Sequence, residues 1–279
     1  VIINYQGDAA MSTKSPKKDI DPLQVKIARE TLERYSGSSA DDFCSYILIT
    51  NFPQYVDYFA ETRGVEVVQG SGFKVAHYPK DDISIIDFRI GSPTAALLID
   101  CCAFLPVKAM LHLGMCGGLR KHYALGDYFV PIASIRDEGT SDFYFPPEVP
   151  AMANFRVQKA VSNALEAEKI PYYTGICHTT NKRFWEFNED FVARLKASRA
   201  QAIEMESATL FCASYQYKIP MGALYIISDL PLNRNGIKTK ASAKLVFDSY
   251  TADHVEKGVT IVEIMKKMLK TTRKKTFLE

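Results

Sequence analysis

The stretch Met221-Gly-Ala-Leu-Tyr-Ile-Ile-Ser228 is almost devoid of polar side chains. A strand with that pattern must be central and covered on both faces, because a strand with one wet face alternates apolar and polar residues. A doubly covered strand requires helices on both sides, and the chain supplies them. Leu23 to Tyr35 carries apolar positions at helical spacing and stops at Gly37. Tyr46–Thr50 and Ile83–Phe88 are short apolar runs bounded by polar residues, the pattern of buried strands, with a helix expected over 53–63 between them. Gly91-Ser92-Pro93 leads into an apolar helix over 94–105. Ala109–Leu113 and Tyr128–Ala133 read as further strands separated by a glycine-rich turn. An amphipathic helix over 154–169, a strand over 172–178, a helix over 207–217 and a long closing helix over 241–270 complete the alternation. No repeat, low-complexity tract or linker interrupts it, so the expected fold is a single α/β domain with helices on both faces of the sheet, an α/β/α sandwich over 21–279.

Residues 1–20 are set apart. Met11 reads as a natural start, which makes Val1–Ala10 an upstream extension or expression remnant, and the segment lacks the features of a secretory signal. Six scattered cysteines show no CxxC pair and no metal-ligand spacing, which fits a reducing, cytoplasmic setting. No apolar run reaches the length of roughly 18 residues that a membrane span needs. A formal net charge of +2 gives no field suited to a nucleic-acid polymer.

In open α/β sheets, ligands gather at the carboxyl ends of strands. Four segments qualify there, and each also fits a plain turn or cap. Gly91-Ser92-Pro93 could form an anion or hydroxyl site at a helix amino-terminus. Gly114-Met-Cys-Gly117-Gly118 holds three glycines in five residues, so its backbone must turn sharply or approach a ligand closely. Glu204-Met205-Glu206 puts two carboxylates around a methionine where a strand gives way to a helix, with one expected outward and one inward. A carboxylate inside a pocket would accept hydrogen bonds from adjacent sugar hydroxyls. Ser228-Asp229 ends the apolar strand, where desolvation raises a carboxyl pKa and lets the group hold a proton for a leaving group.

These segments, in this order, resemble the nucleoside phosphorylase family, which includes purine nucleosidases. The resemblance runs from about Tyr46 to the final helix. It is closest to the AMP-cleaving branch at Gly114–Leu119, Trp185, Met205–Ala208 and Ser228–Asp229, and along 135–141, 144–150 and 179–186. It implies a central mixed sheet twisted toward a barrel, and assembly into homodimers or hexamers with sites near subunit interfaces. It also implies a small-molecule purine nucleotide as substrate, with AMP and water giving adenine and ribose 5-phosphate. No metal or cofactor is expected. Longer members of that branch carry an additional amino-terminal domain not found in this sequence, so control resting on it is not expected.

By resemblance, Asp229 acts as the acid at the purine, with Ser228 orienting it. Glu206 holds the ribose, Met205 packs against it, and Phe184 or Trp185 stacks on the base. Gly91, Ser92 and Gly117 line the substrate. Lys182 and Arg183 are the first candidates for a 5′-phosphate, followed by Arg136 and Arg120. Phosphorylases of the family bind free phosphate through an arginine and a serine or threonine around the glycine matching Gly114, where this chain has His112 and Met115. Their other phosphate loop corresponds here to Thr50-Asn51-Phe52-Pro53-Gln54, which points to water as the nucleophile. Related nucleosidases activate that water with a glutamate after the first strand. Asn51 stands there and cannot take a proton, which leaves Glu206 as the candidate to share the duty. A phosphorylase and a non-catalytic nucleotide-binding relative are the alternatives.

Overall fold

The computed structural model describes residues 21–275, with side chains through 268; the extension expected over 1–20 lies outside the described residues. In chain order the elements are α1 (Pro22–Ser36), β1 (Tyr46–Thr50), α2 (Pro53–Arg63), β2 (Val67–Gln69), β3 (Lys74–Tyr78), β4 (Ile83–Asp87), α3 (Ser92–Cys102), β5 (Ala109–Gly118), β6 (Tyr128–Asp137), β7 (Ala151–Met152), α4 (Phe155–Ala167), β8 (Tyr172–Thr180), α5 (Glu189–Ser198), β9 (Ala202–Glu204), α6 (Ser207–Gln216), β10 (Met221–Asp229) and α7 (Lys240–Lys275). Local signals set several boundaries. The Asp21 carboxylate accepts the Leu23 N–H at 2.9 Å to start α1, and Gly37, in the left-handed region at φ 76°, ends it. The Asn154 and Asn188 side chains cap α4 and α5.

The sheet is mixed and partly closed. Strand β5 pairs in parallel with both β1 and β10, β10 pairs with β6, β6 with β8, β8 with β9, and β9 returns antiparallel to β5. Five strands therefore form a ring, and β1, β4, β3 and β2 extend from it as an open wing. The barrel-like twist expected from the family resemblance is this ring.

Along β10 the alternation of faces is complete: Ala223, Tyr225 and Ile227 join one core cluster, Leu224 and Ile226 the other. The first cluster packs against Leu32 of α1, Leu98 and Ile99 of α3, and Phe211 of α6. The second packs against Phe59 of α2, Val161 of α4, and Val255 and Ile261 of α7. The α/β/α layering inferred from one strand's composition is the observed one.

One expectation is corrected. Gly114–Gly118 is not a turn or loop but the second half of β5, paired with β10 through Gly117. Its glycines meet neighbours rather than bend the chain. A Cβ at Gly114 would come within 2.9 Å of ring atoms of both His112 and Tyr225, and one at Gly117 within 2.8 Å of Pro231. The wing strands β2 and β3 and helix α5 carried no distinct signal in the sequence reading.

Overpacking at such a position typically costs about 1–3 kcal/mol. Gly114→Ala is expected to lower the urea midpoint by a corresponding amount without changing the denaturant slope. An unchanged midpoint would mean the two rings move aside freely.

Candidate active site

The carboxyl ends of β1, β5, β8, β9 and β10 converge on one open cavity. Asn51 and Phe52 follow β1; Met115, Cys116 and Gly117 come from β5; Thr180 ends β8; Glu204, Met205 and Glu206 follow β9; Ser228 and Asp229 end β10. Strands β1, β5 and β10 run parallel and end on one side, and the antiparallel pairing of Gly117 with Ile203 sets the end of β9, with its parallel neighbour β8, beside them.

Asp229 reaches the cavity through an irregularity in β10. Ile227 pairs with Cys116 and Asp229 with the next residue, Gly117, so one residue of β10 is extra, as in a β-bulge. The extra residue, Ser228, donates its hydroxyl to Asp229 Oδ1 at 2.7 Å. Burial raises the Asp229 pKa, while Ser228, Lys238 and Arg183 pull it back. Lys238 Nζ lies 3.2 Å from Ser228 Oγ, and its own pKa is lowered by burial against the opposing pull of Asp229. Nothing in the sequence marks Lys238, because a lone lysine before a long helix carries no signal of burial.

Neither carboxylate of Glu204-Met205-Glu206 points outward: Glu204 is 6% exposed and Glu206 5%. Glu204 Oε1 accepts the hydroxyls of Thr179 and Ser207, and its Oε2 accepts the backbone N–H groups of Glu206 and Ser207. Burial raises the Glu204 pKa, and these four donors pull it back. Glu206 Oε1 accepts the Gly91 N–H at 2.7 Å. Burial, and then the negative Glu204 beside it, push the Glu206 pKa upward. Of the pair, Glu206, pushed up to about 8, is the one that favours keeping its proton, as like charges at close range demand.

Gly91 and Ser92 act on this segment from behind. Gly91, at φ 100°, opens α3 and turns its N–H to Glu206. The Ser92 hydroxyl donates to the Met205 carbonyl at 2.7 Å rather than capping its own helix. Neither residue is among those lining the cavity, whereas Ile90 is.

Lys182, Arg183, Trp185 and Glu186 line the same cavity. Trp185 is buried against Phe191, with ring centroids 5.5 Å apart, and shows one edge to the cavity. Phe184 does not line the cavity; it is 69% exposed, at a left-handed φ of 65°, with the Arg183 guanidinium over its ring. Arg183 also pairs with the buried Glu186 at 2.7 Å. Arg136 is not brought to the cavity either. Its guanidinium is spent on the carbonyls of Phe145, Pro146 and Val149, the Ser141 hydroxyl and Asp142, which staples the 140–149 loop. Arg120 is likewise consumed by the carbonyls of Leu119, Arg199 and Ala200. All six cysteines are free and buried. Among the described residues no helix is long and apolar enough to cross a membrane.

A family model described as the phosphorylase superfamily matches residues 45–262. AMP nucleosidase of Escherichia coli K12 is 28% identical over 297 aligned positions, covering 90% of this chain and 61% of the relative, so the chain spans about three fifths of that protein's length. Uridine phosphorylase of Thermococcus kodakarensis is 26% identical, over 70% of this chain and 76% of that one. Among solved structures, AMP nucleosidase from Bacteroides thetaiotaomicron superposes with a TM-score of 0.76 at 38% identity, covering 87% of this chain and 98% of that chain. Purine nucleoside phosphorylase from Toxoplasma gondii shares the fold, with a TM-score of 0.72 at 18% identity.

The raised Glu206 pKa makes stability fall with pH. The folded state keeps a proton that the unfolded chain releases near 4.5, so the penalty grows from there until the folded-state pKa is passed. Glu206→Gln has no proton to keep and is expected to flatten this slope in urea-unfolding midpoints taken from pH 5 to pH 8. A slope identical to that of the unsubstituted protein would place the strain elsewhere.

Proposed function

The chain belongs to the phosphorylase superfamily, among its AMP nucleosidase-like members, and from that premise we propose that it hydrolyses the N-glycosidic bond of a purine nucleotide, converting AMP and water to adenine and ribose 5-phosphate. The observation that carries this reading is that Asp229 and Glu206 open on one cavity, while the place of a phosphate-binding arginine holds the buried His112.

Cleavage moves the electron pair of the C1′–N9 bond onto the purine and leaves positive charge on the sugar. Asp229, its proton affinity raised by burial, delivers a proton to the imidazole nitrogen of the leaving base. Positioned acid catalysis of this kind is worth about 10²–10⁴ in rate. Glu206 accepts the ribose hydroxyls and, once ionised, faces the developing cation. That electrostatic match is made in the transition state and not in the ground state, which is what accelerates the chemical step. Once its resting proton has left to solvent, the same raised proton affinity suits the Glu206 carboxylate to take the proton of the attacking water.

Free phosphate beneath the sugar would need a cationic, hydrogen-bonding cradle. Burial drives the His112 pKa down to about 3, so the ring is neutral and offers no charge for that purpose. The 5′-phosphate is a separate matter. Lys182 and Arg183 stand at the cavity wall, and either could meet a phosphate on a sugar held by Glu206.

Incubation with AMP, adenosine, inosine and methylthioadenosine, with and without inorganic phosphate, tests the reading by identifying the released base and sugar. Adenine and ribose 5-phosphate at a rate indifferent to phosphate is the expected result. Phosphate-dependent turnover that yields a sugar 1-phosphate would assign the chain to the phosphorylases instead. Replacing the phosphate-binding cation, through Lys182→Ala and Arg183→Ala, is expected to raise KM for AMP far more than for adenosine. Equal changes for both substrates would reject these two residues as the phosphate site.

A further inference from the structure

Asn51, just after β1, is held by two bonds that leave its orientation no freedom. One side of its amide lies 2.6 Å from the Arg89 carbonyl oxygen, which can only accept, so the amide nitrogen must face it. The amide oxygen therefore faces His112 Nε2, at 2.8 Å. That oxygen also only accepts, so Nε2 carries the hydrogen. His112 is 1% exposed and neutral, so it has a single ring proton; Nδ1 is bare and accepts the Tyr225 hydroxyl at 3.0 Å. The direction of every hydrogen bond from Tyr225 through His112 and Asn51 to Arg89 follows from the carbonyl at its end.

That carbonyl is itself pinned. Arg89 adopts a left-handed φ of 70°, its N–H donates to Asp87 Oδ1 at 2.9 Å, and its guanidinium pairs with the buried Asp87 at 3.1 Å. Two residues further along the same loop, Gly91 holds Glu206. One short rigid loop thus fixes both Asn51 and the carboxylate proposed for the ribose.

An amide has two hydrogens and two acceptor lone pairs. After the bonds to Arg89 and His112, Asn51 retains one of each, and it lines the cavity. We propose that Asn51 binds the attacking water and that His112 is a positioning residue, locking the Asn51 amide in the one orientation that presents this donor and acceptor together. The inference rests on the hydrolytic reading above. The water oxygen forms its bond to C1′ as the C1′–N9 pair leaves with the purine, and the water's proton passes to the Glu206 carboxylate. Asn51 holds the water through hydrogen bonds and takes no proton. Protonation of Nδ1 would only reverse the bond to Tyr225, whose oxygen can accept, and would leave the Nε2 donor to Asn51 in place.

The test is a double-mutant cycle on the full-length protein with AMP as substrate. His112→Phe removes the Nε2 donor, and misplacing a reacting group by about 1 Å can cost about 10²-fold, so kcat is expected to fall by about that factor with KM little changed. His112→Gln, which returns an amide donor, should recover much of the loss. In an Asn51→Ala background, where kcat is already reduced, His112→Phe should cost nothing further. Additive losses, a change confined to KM, or no recovery by glutamine in a protein with an unchanged urea midpoint would overturn the proposal. If the unsubstituted protein releases no adenine from AMP without phosphate, the hydrolytic reading itself fails, and this inference with it; retained kcat in both single variants of an active hydrolase would sink this inference alone.

Discussion

The site depends on a buried carboxylate that itself need not touch substrate. Glu204 gathers two hydroxyls and two backbone N–H groups from β8 and from the start of α6, which fixes the turn that carries Met205 and Glu206. A carboxylate satisfied by four donors can remain charged without water. Burial first, and then the charge on Glu204 two residues away, raise the proton affinity of Glu206 above the ordinary carboxyl range. A cation forming on a sugar beside these two carboxyl groups would be stabilised by them, which matches the charge that glycosidic cleavage creates.

The other carboxyl group of the cavity comes from the far side of β5. In the β5–β10–β6–β8–β9 ring, β5 pairs with β10 on one side and β9 on the other, so that Asp229 at the bulged end of β10 and Glu206 after β9 line one cavity. Around Asp229 the balance differs from that around Glu206. Burial raises the Asp229 pKa, and Ser228, Lys238 and Arg183 oppose it. Two carboxyl groups with different surroundings are thereby suited to different tasks, one at the base and one at the sugar.

Much of this was legible in the sequence, and the failures have definite causes. The apolar run of β10 announced its central place because a doubly covered strand leaves no room for polar side chains. Asp229 and Glu206 stood out because carboxylates at the ends of apolar runs are costly unless used. Gly114–Gly118 misled, since glycine enrichment looks the same whether a chain turns or runs straight between large rings such as His112 and Tyr225. The outward-and-inward reading of Glu204 and Glu206 assumed that one strand face is wet, whereas β9 lies between β8 and β5 with all three residues buried. Arg136 looked like a phosphate ligand because sequence shows a guanidinium but not the five loop groups that occupy it. Lys238 was out of reach because a lone lysine before a helix carries no mark of burial, and the Asn51–His112 bond because it joins the ends of β1 and β5, which only strand pairing sets side by side.

The central claim is that Asp229 and Glu206 act on opposite ends of one glycosidic bond. A crystal structure of the Asp229→Asn variant soaked with AMP measures this directly. Residue 229 should lie at hydrogen-bond distance, about 2.7–3.2 Å, from the imidazole edge of adenine, with Glu206 at the ribose hydroxyls of the same molecule. A nucleotide bound with its purine away from residue 229, or with its ribose out of reach of Glu206, would contradict it.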